Sequence, residues 1–217
     1  MISRRWLQAG GVAGILFVVL EFGFSLVGGT SEPAFDAPAK DWLTQYQHAH
    51  DLVLVAPYTA GLPMLFFLCF IGALHLRLRA ASTSESLPSI AVLLFGGVAA
   101  ALLLTAGGAG ASALLRVGHG LDGSGASTLS GLSNEFFVIS FFAIGGMLIA
   151  AGIGAIETHA LPAWLGWSGI VIGIGLVVAV AAQLTEFWLI PFFLFYFWVV
   201  AVGVVFIRDA RSRPTPT

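Results

Sequence analysis

Residues 162–207 read PAWLGWSGIVIGIGLVVAVAAQLTEFWLIPFFLFYFWVVAVGVVFI, and Glu186 is the one charged residue in this stretch. A single helix of that length would extend about 69 Å, whereas the hydrocarbon core of a bilayer is about 30 Å thick. The stretch therefore predicts two membrane-spanning helices. We expect the break between them at Gln183-Leu184-Thr185-Glu186, where three polar residues lie close together.

The rest of the chain has the same apolar character. Of its 217 residues, 58% are hydrophobic and 9% are charged, compared with about 25% charged residues in a soluble domain. So few charges cannot cover a soluble protein of this size. We predict an all-α bundle of six transmembrane helices in one domain, residues 1–207. The spans are expected at about 10–29, 52–75, 90–115, 135–156, 163–183 and 187–207.

Basic residues in the connections predict the orientation of the bundle, because cytoplasmic loops carry an excess of Lys and Arg. Seven basic residues fall on one side of the predicted spans and two on the other, which predicts that both termini are cytoplasmic in the plasma (inner) membrane. Residues 208–217 are expected to be a disordered cytoplasmic tail. The cytoplasmic group is Arg4, Arg5, Arg77, Arg79, Arg208, Arg211 and Arg213, and the outer group is Lys40 and Arg116.

The N-terminal segment has a second interpretation as a cleaved signal. Ser3-Arg4-Arg5-Trp6-Leu7 is similar to the start of a twin-arginine signal. We expect an uncleaved anchor instead, because five further spans follow and no small-x-small cleavage site ends the first apolar run.

The first outer loop, residues 30–50, is expected to contain an interfacial helix. Asp36-Ala37-Pro38 is typical of a helix start with proline in the first turn. Trp42 and Tyr46 then share a face with Leu43 at helical spacing, which would place aromatic rings at headgroup depth. Two other connections, 79–89 and 117–133, are rich in serine and glycine and are predicted to be mobile.

The layout of the chain resembles a known group of membrane proteins. The features are the six spans, the long first outer loop with Trp42, and Leu161-Pro162-Ala163-Trp164-Leu165-Gly166-Trp167 at the start of the fifth span. They are similar to the uncharacterised six-helix integral membrane proteins frequent in actinobacterial genomes. The resemblance implies a helical bundle over most of the chain, and it implies no known activity and no functional residues.

The outer side of the predicted bundle collects most of the ionisable residues. We expect a polar cavity that opens to the outer face there. Helix dipoles favour acids at helix N-termini and bases at C-termini, and they account for Asp51, Glu135 and Arg116 at predicted span ends. The candidate binding residues are Glu21, Arg116, Glu135, Asp51, His48, His50 and His119.

Glu21 is the residue that helix dipoles do not explain. It lies 16 residues after Arg5, about 24 Å along the first span, near a helix end of negative dipole. A carboxylate in hydrocarbon costs several kcal/mol and normally faces the bundle interior with a partner. Arg116 is the expected partner, and the alternatives are a protonated Glu21 or a shallower position. Both a structural ion pair and a proton or ligand site fit this pattern.

Three histidines are weak candidates for a zinc site. His48 and His50 precede Asp51, and His119 lies in a glycine-rich connection; imidazole and carboxylate are ordinary zinc ligands. His48 and His50 are two residues apart and would point apart on a helix. No His-Glu-x-x-His motif is present. The pattern favours loop histidines over a metal centre, and we predict no catalytic residues and no cofactor.

Charge and cysteine content exclude other classes. The formal net charge is −2, whereas nucleic-acid binding needs a basic stripe that neutralises several phosphates. The chain has one cysteine, Cys69, so a disulfide within the chain is excluded.

Glycine is concentrated in the predicted spans, where small residues four apart let helices approach closely in lipid. Packing inside the chain explains these pairs, and a homo-oligomer face is the alternative. The pairs are Gly10 with Gly14, Ala106 with Gly110, Gly146 with Ala150, and Gly169 with Gly173.

These features favour a non-enzymatic function: binding or transport of a small molecule or ion, with Glu21 as the charge or proton carrier. A one-sided receptor or sensor fits equally well. One alternative is a membrane-embedded hydrolase or transferase with a histidine base or histidine-bound metal on the outer face. The other is a structural or accessory membrane subunit.

Overall fold

The computed structural model describes residues 4–28, 33, 37–82, 87–182 and 185–212. In that part of the chain all regular secondary structure is helical, which confirms the all-α prediction. The α-helices are α1 (Arg4–Gly28), α2 (Ala39–His48), α3 (Ala56–Ala81), α4 (Leu87–Arg116), α5 (Gly123–Thr158), α6 (Ala163–Ala179) and α7 (Leu189–Ser212).

Five of these helices, α1, α3, α4, α5 and α7, are long and apolar enough to cross a membrane. The remaining apolar helix, α6, has 17 residues and is followed by a short 3-10 turn at Val180–Ala182. The predicted break between the last two spans falls between α6 and α7, although Gln183 and Leu184 themselves lie outside the described residues.

The long helices form a ring that closes between the first and the last. α1 packs against α3 and α7, α4 packs between α3 and α5, and α6 packs between α5 and α7. The interior is filled by apolar side chains, and a close-packed apolar interior leaves few voids between the helices. The largest fully buried side chains include Phe17, Phe67, Phe70, Phe141, Phe195 and Phe206.

Glycines bring the backbones of neighbouring helices into contact. A Cβ atom on Gly152 would lie 2.5 Å from the carbonyl oxygen of Gly166, and one on Gly145 would lie 2.7 Å from that of Gly173. The predicted glycine pairs are used in the same way. Gly10 faces Ala73 of α3, and Gly146 and Gly169 also meet side chains or backbone of neighbouring helices. Packing inside the chain therefore accounts for these glycines except Gly110, where an added Cβ would meet only the Ser133 hydroxyl, at 3.9 Å, and the homo-oligomer face stays a prediction.

Helix α5 begins earlier than the sequence predicts. Its N-cap is Asp122, whose side chain accepts a 2.7 Å hydrogen bond from the amide of Gly125. The expected mobile connection over 117–133 is therefore wrong for residues 123–133. The connection shortens to a turn in which Gly118 and Gly120 have positive φ angles of 74° and 91°.

Two other expected boundaries also move outward. Helix α7 continues to Ser212, so the prediction of disorder is wrong for residues 208–212. Burial of Ala210 and an ion pair made by Asp209 hold this last part of the helix against the bundle. Helix α3 continues to Ala81. Residues 83–86 of the predicted inner loop and residues 213–217 of the predicted tail lie outside the described residues.

The first outer loop contains the short helix α2. Pro38 is its N-cap residue, and Trp42 is buried. The helix packs against α5, where the Ser130 hydroxyl donates a 3.0 Å hydrogen bond to the Tyr46 oxygen. Asp36, part of the predicted helix start, lies outside the described residues.

Candidate functional site

Glu21 lies on the face of α1 that looks into the bundle. Phe17, one turn earlier and therefore on the same face, is 1% exposed. Its ring lies 4.8 Å from that of Phe67 on α3 and 5.7 Å from that of Tyr196 on α7. Glu21 itself is partly buried, and the ring of the next residue, Phe22, lies 5.2 Å from that of Tyr196. The carboxyl group therefore lies at the junction of α1 and α7.

Aromatic rings surround this junction. The ring of Phe22 lies 5.2 Å from that of Tyr196 in an edge-on arrangement, and 5.8 Å from that of Phe193 in a stacked one. Phe192 contacts Tyr196 edge-on at 4.9 Å. A carboxylate beside aromatic rings combines the two groups that attract a cation, a negative charge and the negative face of a π system.

Tyr196 is the member of this site that sequence reasoning missed. It is 8% exposed and lies among the aromatic residues of α7, which look like ordinary packing in the sequence. No local signal separates it from its neighbours. Only the packing of α7 against α1 places its ring against Phe17 and Phe22, the aromatic residues on either side of Glu21.

The expected ion pair between Glu21 and Arg116 is not formed. Arg116 is the exposed last residue of α4, and α1 packs between α3 and α7 rather than beside α4. Among the described residues, the ion pair that forms joins Arg77 to Asp209. Equal depth in the membrane is therefore no guide to pairing, because the order of helices around the ring also has to match.

The other predicted site residues lie at the α2 and α5 side of the bundle, and all of them except His50 are on the surface. His48, Asp51, His119 and Glu135 are exposed. Glu135 lies within α5 rather than at its start, so the helix dipole does not explain it. His50 is partly buried, and its Nδ1 atom has no hydrogen-bond partner in the described part of the chain.

These residues do not assemble a metal centre. Within the described ranges, no group of three or more His, Cys, Asp or Glu side chains could hold a metal ion. His119 is instead engaged locally, with its Nδ1 atom 3.1 Å from the carbonyl oxygen of Val117. The zinc hypothesis for the three histidines gains no support, and the shared outer cavity stays a prediction.

Two sets of polar contacts that sequence analysis did not find lie near the C-terminal end of α3, at the end of the bundle away from Glu21. Arg77 donates hydrogen bonds to the carbonyl oxygen of Ala160, at 3.1 Å, and to the carboxylate of Asp209, at 2.5 Å. On the same helix, His75 Nδ1 donates to the carbonyl oxygen of the fully buried Ser89 at 2.8 Å and lies 3.0 Å from its hydroxyl. These contacts link α3 to α4, to the α5–α6 connection and to α7.

Two apolar grooves line the outside of α3. One has a volume of about 690 Å³ and lies between α1 and α3. The other, of about 410 Å³, lies between the start of α3 and Leu104 of α4. Neither contains any of the predicted outer site residues.

Comparisons with protein-family models, with curated proteins and with solved structures found no match to this chain. The resemblance to actinobacterial six-helix membrane proteins stays a prediction. Function is therefore inferred from the geometry of the chain alone.

Proposed function

We propose that the chain is a six-span protein of the plasma membrane with both termini in the cytoplasm, and that α6 is the sixth span. Helix α6 and the 3-10 turn after it together have about 20 residues, the number one crossing requires. Gly145 of α5 contacts Gly173 of α6, and Gly152, further along α5, contacts Gly166, which is earlier in α6. Helix α6 is therefore antiparallel to α5 over at least two turns, as a returning span requires.

Single-cysteine labelling tests this topology. With Cys69 replaced by alanine, a membrane-impermeant maleimide is expected to label a His119→Cys variant in intact cells. A Glu157→Cys variant should react only after permeabilisation, because Glu157 lies at the other end of α5. Both positions are exposed, so both thiols are accessible in detergent as the control. The reverse pattern, or labelling of both in intact cells, would contradict the proposed orientation.

Within this bundle, we infer that Glu21 binds a small organic cation at the junction of α1 and α7. The observation that carries the proposal is the position of Glu21 between Phe17 and Phe22, whose rings lie 5.7 Å and 5.2 Å from the ring of Tyr196, so that the carboxyl group is on the part of α1 that packs against the aromatic residues of α7. Ionisable residues inside membrane spans commonly mark ion or substrate sites. Aromatic faces favour an organic ammonium ion over a small inorganic cation, because the ammonium ion loses less hydration free energy when it leaves water. Transport and sensing are both functions that such a site can serve.

Replacing Glu21 is expected to abolish stabilisation by a cationic ligand. With tetramethylammonium as the probe at about 100 times its Kd, binding should add about 2.7 kcal/mol of stability. That raises the Tm of the detergent-purified protein by about 5–10 °C. Glu21→Gln should lose the rise, because the amide keeps the shape of the side chain without its charge. Thermal unfolding followed by tryptophan fluorescence measures the effect.

Glu157→Gln is the matched control, since Glu157 is exposed at the end of α5, and it should keep the full rise in Tm. Tyr196→Phe should keep the packing of the ring and retain a reduced rise. Absence of any rise in the wild-type protein, or a rise of equal size in Glu21→Gln, would contradict cation binding at this site.

A further inference from the structure

The groove between α1 and α3 is shaped by small residues. Helices α1 and α3 are in direct contact at Gly10 and Ala73, because a Cβ atom added to Gly10 would overlap the Cβ atom of Ala73. On the outward side of this contact, Gly72 leaves a gap: a Cβ atom added there would meet nothing within 4 Å. The groove therefore persists as open space of about 690 Å³ on the face of the bundle.

The groove has the length of one membrane leaflet. Along α1 its lining extends from Arg5 to Leu16, which corresponds to about 16 Å of helix rise. Half of a hydrocarbon core of about 30 Å is about 15 Å. Beyond its basic end the wall is apolar, with Val12 and Phe66 among the lining residues. An extended acyl chain from one leaflet fits this length and polarity.

The two ends of the groove differ in charge. Arg5 and Gln8 lie at the end where α1 begins. Trp6 lines the same end and is 69% exposed, as is typical of tryptophan at headgroup depth. Guanidinium groups bind phosphate oxygens through paired hydrogen bonds.

We propose that the α1/α3 groove binds one acyl chain of an anionic phospholipid from the cytoplasmic leaflet, whose headgroup phosphate is held by Arg5. The assignment of leaflet rests on the proposed orientation, which places the start of α1 at the cytoplasmic surface. Anionic lipids give that surface its negative potential and attract basic residues beside a span. Arg5 thus supplies the complementary charge, and the small residues supply the space for the chain.

Filling the groove tests the proposal. The full-length protein is reconstituted with equal amounts of phosphatidylglycerol and phosphatidylcholine, extracted in mild detergent, and its retained lipids are counted by native mass spectrometry. The wild-type protein should retain phosphatidylglycerol in preference. Gly72→Leu should reduce the retained lipid several-fold, because Gly72 lines the groove and a Cβ added there meets nothing within 4 Å, so the larger side chain occupies space that the acyl chain would fill. Gly97→Leu on α4 is the matched control, since a Cβ added there also meets nothing within 4 Å.

The headgroup contact is tested separately. Arg5→Gln should keep a retained lipid and lose the preference for phosphatidylglycerol. Cys69 gives an independent signal, because it is the one cysteine of the chain and lines the groove. Added phosphatidylglycerol should slow its reaction with a maleimide several-fold in the wild-type protein, and phosphatidylcholine should have a smaller effect. In Arg5→Gln the two lipids should act alike.

Equal lipid retention in Gly72→Leu and Gly97→Leu would overturn the proposal, as would an unchanged lipid preference in Arg5→Gln. A dimeric wild-type protein that becomes monomeric in Gly72→Leu would also overturn it, because the groove would then hold a second copy. Failure of the proposed topology is separate from these outcomes. Reversed labelling of His119→Cys and Glu157→Cys would move the groove to the outer leaflet, and lipid retention in detergent would still report on the groove itself.

Discussion

Gly152→Ala is expected to lower the free energy of unfolding by about 3 kcal/mol, at the upper end of the cost of overpacking a core. The added methyl group would lie 2.5 Å from the carbonyl oxygen of Gly166 and 2.6 Å from a side-chain carbon of Ile170. Backbone atoms cannot move aside as a flexible side chain can. Helices α5 and α6 would therefore have to separate along their seam. A fall in Tm of about 6–12 °C in detergent measures this loss.

Gly97→Ala is the control for that experiment. It also replaces a glycine in a long apolar helix, but its Cβ meets nothing within 4 Å. We expect no loss, and a gain of up to about 1 kcal/mol from the higher helix propensity of alanine. Similar Tm changes in both variants would show that the close approach of α5 and α6 at Gly152 does not contribute to the free energy of unfolding. A change of oligomeric state in Gly152→Ala, with its Tm unchanged, would favour a glycine face between copies instead.

Arg77→Met is expected to reduce stability by about 2 kcal/mol. The change removes the hydrogen bond to Ala160 and the ion pair with Asp209, so α3 loses its polar link to α7 and to the α5–α6 connection. Removing one partner of a fully buried ion pair costs about 3–5 kcal/mol. The value is lower here because the two side chains are 15% and 36% exposed, and water screens a partly exposed pair. Thermal unfolding measures the change.

Arg79→Met is the matched control, because Arg79 is exposed on the same helix, and a surface substitution changes stability by at most about 0.5 kcal/mol. A double-mutant cycle isolates the contact itself. With Arg77→Met and Asp209→Asn made singly and together, we expect a coupling energy of at least about 0.5 kcal/mol. Additive losses, or an equal loss in Arg79→Met, would mean that the ion pair contributes nothing specific.

Helix boundaries show where local patterns mislead. The serines and glycines of residues 123–133 are typical of a loop, yet they form the first three turns of α5. The signal for the true start is present in Asp122, an N-cap residue whose side chain holds the Gly125 amide. Contacts with α2 then favour the helix, because Ser130 is buried and its hydroxyl reaches Tyr46. A distant partner thus overrides the local preference.

The candidate site shows the same division. The isolated position of Glu21 in an apolar span is visible in the sequence, because burying a carboxylate is costly wherever the span lies. The residues that pack near Glu21 cannot be identified from the sequence. Arg116 lies at a similar predicted depth, but the order of helices around the ring brings α7 with Tyr196 against the part of α1 that carries Glu21, and it leaves Arg116 exposed.

The sequence alone predicted apolar helices, because a backbone that lies in lipid has to satisfy its hydrogen bonds within each helix, residue by residue, and the structure confirms the helices. That requirement is local, so it can be found in any stretch of about 20 residues. Contacts between helices are not local. Arg77 and Asp209 are 132 residues apart, and Gly72 borders a groove rather than a packed seam because of where α1 crosses α3. Such pairings depend on which faces of the helices meet, and only the packed bundle defines those faces.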